Sequence, residues 1–274
     1  MENLVTGLID PWRAEALAAT LDRPPPTEVL PPLWHWIYLL EAFPTSNLGP
    51  EGHPRPPDLP IPEGRRMIAG GEVAFHGHVP LGEEATRRSR LLGVEEKEGR
   101  SGRLTFVRLG HRTEARATLL VEEEQRIVYL SAPPRPDLPQ GSPPDWPWRR
   151  VFVPDELVLF RFSALTFNSH RIHYDRRYTT EVEGHPDLVV HGPLIALLLA
   201  DLAHERVGEL VHFSFRATAP LYVNRPITLV GRPTGGDGAE LEAWSDDGRR
   251  AMVALARFNP RRAPSKRGSR PGAG

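Results

Sequence analysis

The 274-residue chain contains no cysteine. That excludes disulfides, cysteine-ligated zinc, iron–sulfur clusters and thiol nucleophiles, and it fits a reducing compartment. Lysine is almost absent too: Lys97 and Lys266 are the only two, so 32 of the 34 basic residues are arginine. No apolar run is long: Pro193–Ala200 is eight residues, where a membrane span needs about 20. Glu2 and Asp10 stand where a signal peptide would carry lysine and an apolar run. These absences point to a soluble, cytoplasmic protein. Neither sign of charge dominates, with 34 basic against 35 acidic residues. Five of the basic residues lie beyond Asn259 with no acid among them, leaving a body of net charge −6. An acidic body does not fit a nucleic-acid binder. The GxSxG, GxxxxGK[ST] and GxGxxG patterns of nucleophile elbows, phosphate loops and dinucleotide sites are also missing.

Proline, by contrast, is abundant, with 30 residues, and it is excluded from helix interiors and central strands. Seven prolines fall in 44–64, which reads as a surface loop, and seven in 132–148, which reads as a stiff linker. We place a domain boundary there, between a domain of residues 1–131 and one of residues 149–259. Residues 260–274 read as a disordered basic tail. Residues 1–22 have helical apolar spacing, and Leu33–Phe43 reads as a buried helix. Its Trp34, Trp36 and Tyr38 are either core or the lining of an acyl tunnel. Strands are expected at 67–75, with a bulge at Gly70–Gly71, and at 85–93, 104–109, 112–122 and 125–130. Glu122–Glu124 reads as a solvated hairpin. In the second half an apolar helix over Leu194–Val207 is followed by strands near 210–218, 226–232, 239–244 and 250–258. The order is antiparallel, without βαβ alternation. It predicts an α+β fold in which a sheet wraps a central apolar helix, made twice.

Polar chemistry concentrates in Ser163–Asp175, followed by His185 and by His191-Gly192-Pro193-Leu194; four of the 11 histidines lie within the 22 residues from His170 to His191. Three readings compete. His170, His173 and Asp175 are residue types that bind zinc or iron. Histidine and asparagine also satisfy buried backbone groups without further function. Finally, histidine is the natural proton shuttle near neutrality. His191-Gly192-Pro193 would open a helix whose free N–H groups and positive end stabilise an oxyanion.

Thr166-Phe167-Asn168-Ser169-His170-Arg171-Ile172-His173-Tyr174-Asp175, followed by His191-Gly192-Pro193-Leu194, resembles the motif of the MaoC-like, hydratase-2 enzymes. The variant is similar to their branch of 3-methylfumaryl-CoA hydratases and type 2 hydroxyacyl-thioester dehydratases. Arg66-Met67-Ile68-Ala69-Gly70-Gly71 and Leu104-Thr105-Phe106-Val107 resemble the degenerate first hot-dog domain of that branch.

The resemblance implies a double hot-dog fold and a reversible hydration or dehydration of an enoyl or 3-hydroxyacyl thioester, on CoA or an acyl carrier protein. It implies no metal or redox cofactor, no nucleic-acid partner and no membrane, and it leaves pairing into a homodimer open. His173 falls on the family's catalytic histidine and Gly192 on its oxyanion-hole glycine. Asn168 stands where the family has aspartate; it can orient a water but cannot take a proton. His170, Arg171, Tyr174 and His191 complete the expected substrate surface. Arg171 carries two readings: a fork for a substrate carboxylate, or a partner for Asp175.

Overall fold

The computed structural model describes residues 2–55, 64–99, 102–131 and 141–259. The tail at 260–274 and residues 132–140 of the expected linker lie outside these, as do residues 56–63 of the proline-rich loop. In chain order the elements are β1 (Glu2–Leu8), α1 (Pro11–Thr20), β2 (Arg65–Phe75), β3 (Glu84–Gly99), β4 (Gly102–Ala115), β5 (Thr118–Leu130) and β6 (Trp148–Phe152). They continue with α2 (Glu156–Leu165), α3 (Arg176–Glu181), α4 (Gly192–Val207), β7 (Leu210–Ala217), β8 (Ile227–Pro233), β9 (Gly238–Trp244) and β10 (Arg250–Phe258).

All ten strands form one antiparallel sheet in the order β1-β3-β4-β5-β2-β7-β10-β9-β8-β6. The first five come from the first half of the chain and the rest from the second. They meet where β2 pairs with β7, Gly70 opposite Arg216 through Ala74 opposite His212. The expected bulge is present as a register shift between Ile68 and Gly70.

The second half realises the expected plan. The apolar helix α4 starts at Gly192 and packs against β6–β10. It is nearly all apolar from Leu194 to Ala203, as a helix buried on every side must be. The one charged residue in that stretch is Asp201. Arg23 holds it at 2.6 Å and Trp34 Nε1 donates to it at 3.2 Å. Burial raises its carboxyl to about 7 against the pull of Arg23.

The first half departs from the plan. Leu33–Phe43 does not form a central helix. It makes a single 3-10 turn, Trp34–Ile37, between Leu33 (φ 67°) and Leu39 (φ 51°), both in the left-handed region that ends a helix. The side chains are still core: Trp34, Ile37 and Tyr38 are almost fully buried. Residues 1–22 split at Asp10-Pro11. Asp10 caps α1 by accepting from Trp12 N–H, and Pro11 occupies the first turn. Before that cap the chain is the edge strand β1, on β3.

Two further expectations are corrected. The strand expected at 104–109 runs on to Ala115 as β4, and the one expected at 112–122 is cut by a turn at Arg116 and Ala117, both with positive φ, so that its second part opens β5. Glu122–Glu124 is therefore mid-strand in β5 rather than a hairpin. Glu123 is buried there. It accepts from Trp36 Nε1 at 2.7 Å and meets His35 Nε2 at 3.3 Å. Burial opposes its charge, but the His35 and Trp36 hydrogen bonds outweigh that and hold the carboxyl down at about 2. This anchor fixes the 3-10 turn to the sheet.

Glu123→Ala leaves two buried donors unpaired and is expected to destabilise the fold by about 3 kcal/mol at neutral pH. Its folded pKa is depressed, so the contribution is present above about pH 4.5 and fades as pH falls toward 2. Urea melts of wild type and variant at pH 7 and pH 3 check this: the gap narrows in acid.

Candidate functional site

Three pieces of backbone converge on the start of α4. The first is the loop after α2, carrying Asn168 to His173. A hydrogen bond from the His170 N–H to Asn168 Oδ1 at 3.0 Å shapes it. The second is the 45–55 segment, whose described part is a 3-10 turn and the Leu48–Pro54 bridge rather than structureless loop. It docks on the first: Ser169 Oγ donates to the Gly52 carbonyl at 2.6 Å, and Arg171 N–H to the Glu51 carbonyl at 2.9 Å. Gly52 has φ +92°, and a Cβ there would sit 2.0 Å from the Ser169 carbonyl oxygen. The third is β2, which brings Arg66 and Ile68. A Cβ on Gly192 would lie 2.4 Å from Ile68 Cγ2. Only glycine lets the helix start press against β2.

These pieces enclose a cavity of about 770 Å³, lined by residues of both halves, among them Trp36, Arg66, Asn168, His173, Gly192 and Ile195. The expected residues His170, Asn168, His173 and Gly192 are together here. Tyr174 also lines the cavity, half exposed, donating its hydroxyl to the Ser169 carbonyl at 3.2 Å. His191 is buried behind them.

Four imidazoles form a row. His53 lies 4.3 Å from His170 between ring centroids, His170 lies 5.5 Å from His173, and His173 stacks on His191 at 3.6 Å with an 18° tilt. His173 Nδ1–H donates to the Val189 carbonyl at 2.7 Å. A carbonyl can only accept, so the proton sits on Nδ1 and Nε2 carries the lone pair. Burial drives the His173 pKa down to about 4, against the Val189 hydrogen bond and with help from the Arg66 charge. Burial likewise holds His53, His170 and His191 well below the usual histidine value. His191 Nε2 shares a hydrogen bond with Ser163 Oγ at 2.8 Å, while its Nδ1 and the Nε2 of His170 are buried without partners.

At the helix start, His191 is the N-cap residue but makes no side-chain cap, and Pro193 follows Gly192. No described residue accepts from the Gly192 N–H. The positive end of a 16-residue helix therefore faces the cavity with a free donor.

Arg171 does not reach this space. It donates to Asp175 Oδ2 from Nε at 3.0 Å and from Nη2 at 2.7 Å, and its guanidinium lies 4.1 Å over the Tyr178 ring. Of its two expected readings, pairing with Asp175 is the one found. Asp175 in turn caps α3, accepting from Tyr178 N–H. Asp175 is thus committed to Arg171 and to the start of α3, and among the described residues His170, His173 and Asp175 do not come together as a metal-holding group. Sequence reasoning did not single out His53, Arg66 or Ser163 as site residues. His53 sits in a stretch with no periodicity, and Arg66 reads as an ordinary strand residue. Ser163 had a signal, since it opens the polar segment.

The model of hydroxyacyl-thioester dehydratase type 2 matches residues 33–223, which take in every residue of this site. The chain belongs to that family. It is a hydro-lyase of the hydratase/dehydratase kind. It is 46% identical over 254 residues to the mesaconyl-C(4)-CoA hydratase of Chloroflexus aurantiacus, covering 88% of this chain and 90% of that one. Identity to the mitochondrial hydroxyacyl-thioester dehydratase type 2 of Schizosaccharomyces pombe is 28% over 240 residues, 75% of this chain and 79% of that one. The fold matches a MaoC-like dehydratase from Phytophthora capsici with a TM-score of 0.74, at 11% identity and with 95% and 96% of the two chains covered. It matches HtdX of Mycobacterium tuberculosis with a TM-score of 0.70, at 18% identity, covering 93% and 100%. The hot-dog fold expected from the sequence is thereby established.

Two outcomes follow for this enzyme. Gly52→Ala forces a side chain against the Ser169 carbonyl at a positive φ and is expected to cost about 2 kcal/mol, read as a lowered Tm. Because His173 is held neutral down to about pH 4, the acid limb of kcat/KM is expected below pH 5. A limb centred between 6 and 7 overturns the assignment of a buried neutral base.

Proposed function

We propose that this enzyme adds water reversibly across the double bond of a small carboxylated enoyl-CoA of the mesaconyl-C4-CoA kind, with His173 as the base. The observation that carries the reading is a neutral imidazole, its lone pair fixed on Nε2 by the Val189 carbonyl, in the same cavity as the free N–H at the start of α4.

The thioester carbonyl oxygen lies at the Gly192 N–H. His173 Nε2 takes a proton from a water that the Asn168 side chain orients. Asn168 Oδ1 is engaged by the His170 N–H, so its amide offers the water a donor. The hydroxide forms a bond to the β-carbon as the double-bond electrons move onto the carbonyl oxygen. That enolate is stabilised by the Gly192 N–H and the helix dipole. The imidazolium then gives its proton to the α-carbon, so one water is added in all. Dehydration runs the same steps backwards. Stacking on His191 and the hydrogen bond to Val189 hold the ring in one orientation, which is where positioning contributes.

In this reading residues 149–259 carry the acid–base groups and residues 1–131 shelter the acyl group, with the join in 132–148. Trp36 from the first half and Ile195 from α4, both on the cavity wall, supply apolar surface. The substrate class is supported by the 46% identical hydratase.

Loss of enoyl-thioester absorbance on mixing mesaconyl-C4-CoA with the enzyme tests the reading. His173→Ala is expected to lower kcat by about 1,000-fold with the fold intact by circular dichroism. Full activity in that variant, or no absorbance change with wild type, overturns it.

A further inference from the structure

Among the charged side chains that line the cavity, Arg87 faces Glu41 at 3.7 Å. Arg66 has no such partner. No described carboxylate lies within ion-pair distance of it, and Glu51, an acid whose charge acts on it, is held by Arg55 at 3.3 Å. What Arg66 does touch is neutral: Nη1 donates to His53 Nε2 at 3.2 Å, and the Tyr129 hydroxyl across the β2–β5 pairing is a second neighbour. A guanidinium stays protonated at any working pH and presents five donors in a planar fork. One donor on His53 and one neighbour in Tyr129 leave part of that fork open. A half-buried cation at a cavity wall, without its counter-charge, calls for an anion from the ligand.

We propose that Arg66, contributed by the first half of the chain, binds the free carboxylate of the substrate and so selects for a carboxylated enoyl thioester. The inference rests on the substrate class proposed above. Mesaconyl-C4-CoA carries its carboxylate on the β-carbon, the atom that receives hydroxide. Carboxylate and incoming oxygen are therefore held within one carbon of each other, so an arginine that grips the one must stand close to the base that delivers the other. Here the two groups are linked by a hydrogen bond, Arg66 to His53, and two ring contacts, His53 to His170 and His170 to His173. A carboxylate fixed in the fork also fixes which face of the double bond meets His173. Paired with a cation, it withdraws electron density from the β-carbon more effectively than when free, which favours attack there. His53 is a positioning residue in this scheme. Its Nε2 accepts from Arg66, which aims the fork and leaves the ring neutral.

The test compares kcat/KM of wild type, Arg66→Gln and Arg66→Lys on mesaconyl-C4-CoA and on 3-methylcrotonyl-CoA, in which a methyl group replaces the carboxylate. Arg66→Gln is expected to lower kcat/KM on mesaconyl-C4-CoA about 100-fold more than on 3-methylcrotonyl-CoA. Arg66→Lys keeps the charge and loses the fork; it is expected to fall between, and it reads the same ratio if the glutamine variant does not fold. Equal losses on both substrates overturn the inference and place Arg66 on the CoA moiety, which the two share; the proposed reaction then stands. Wild type that turns over 3-methylcrotonyl-CoA but not mesaconyl-C4-CoA overturns the substrate class, and the inference with it.

Discussion

The pairing of β2 with β7 is the contact on which the site depends. Five residue pairs, Gly70–Arg216 to Ala74–His212, join two five-stranded halves into one sheet. The same strand, a few residues earlier, presents Ile68 to Gly192 and Arg66 to His53. The bulge between Ile68 and Gly70 changes the register at the junction, so the Arg66–Ile68 stretch and the β7-paired stretch follow different registers on β5. Without this seam, α4 would still have its apolar bed on β6–β10, but its N-terminus would open to water. Water there would compete for the Gly192 N–H and weaken every charge interaction in the cavity.

The electrostatics of the cavity follow from burial around the Arg66 guanidinium. Four imidazoles packed within stacking or edge distance cannot all be protonated in a space of low polarity. Desolvation lowers each of them, and the Arg66 charge adds to the effect on His53, His170 and His173. The site therefore holds a row of lone pairs beside Arg66, a permanent cation with no described carboxylate within ion-pair distance. That is the arrangement the proposed reaction needs: a proton acceptor for water beside a cation for an anionic substrate. Neutrality here is produced by packing. A carboxylate in the cavity would compete for the charge that Arg66 presents there.

Much of this was legible in the residues. The polar segment around His173 and the helix start at Gly192 could be read because both are local signals: a dense run of side chains with acid–base chemistry, and a glycine-proline helix opening. The apolar length of α4 marked it as wrapped on all sides. What could not be read depends on distant pairings. Trp34–Tyr38 has the composition of a buried helix, and it is buried, but Glu123 from β5 captures Trp36 and His35 and holds the segment as a tight turn. Local propensity lost to a tertiary hydrogen bond. Asp10-Pro11 was a visible helix start that the apolar spacing on either side obscured. His53 and Arg66 acquire meaning only through the docking of 49–55 on 169–171 and the β2 seam, neither of which has a local signature. Arg171 could be read either way, and Asp175 four residues on, within reach on the same short turn, satisfied it.

The face-to-face stack of His173 on His191, 3.6 Å between centroids, sets a storage limit. Two parallel imidazoles at van der Waals contact cannot both be cationic, so the pair has room for one extra proton. Addition of water to a double bond borrows a single proton and returns it within the same turnover. The stack thus matches the site's capacity to the loan. In the proposed mechanism, once His173 is charged its stacked neighbour resists a second protonation until that proton has gone to carbon.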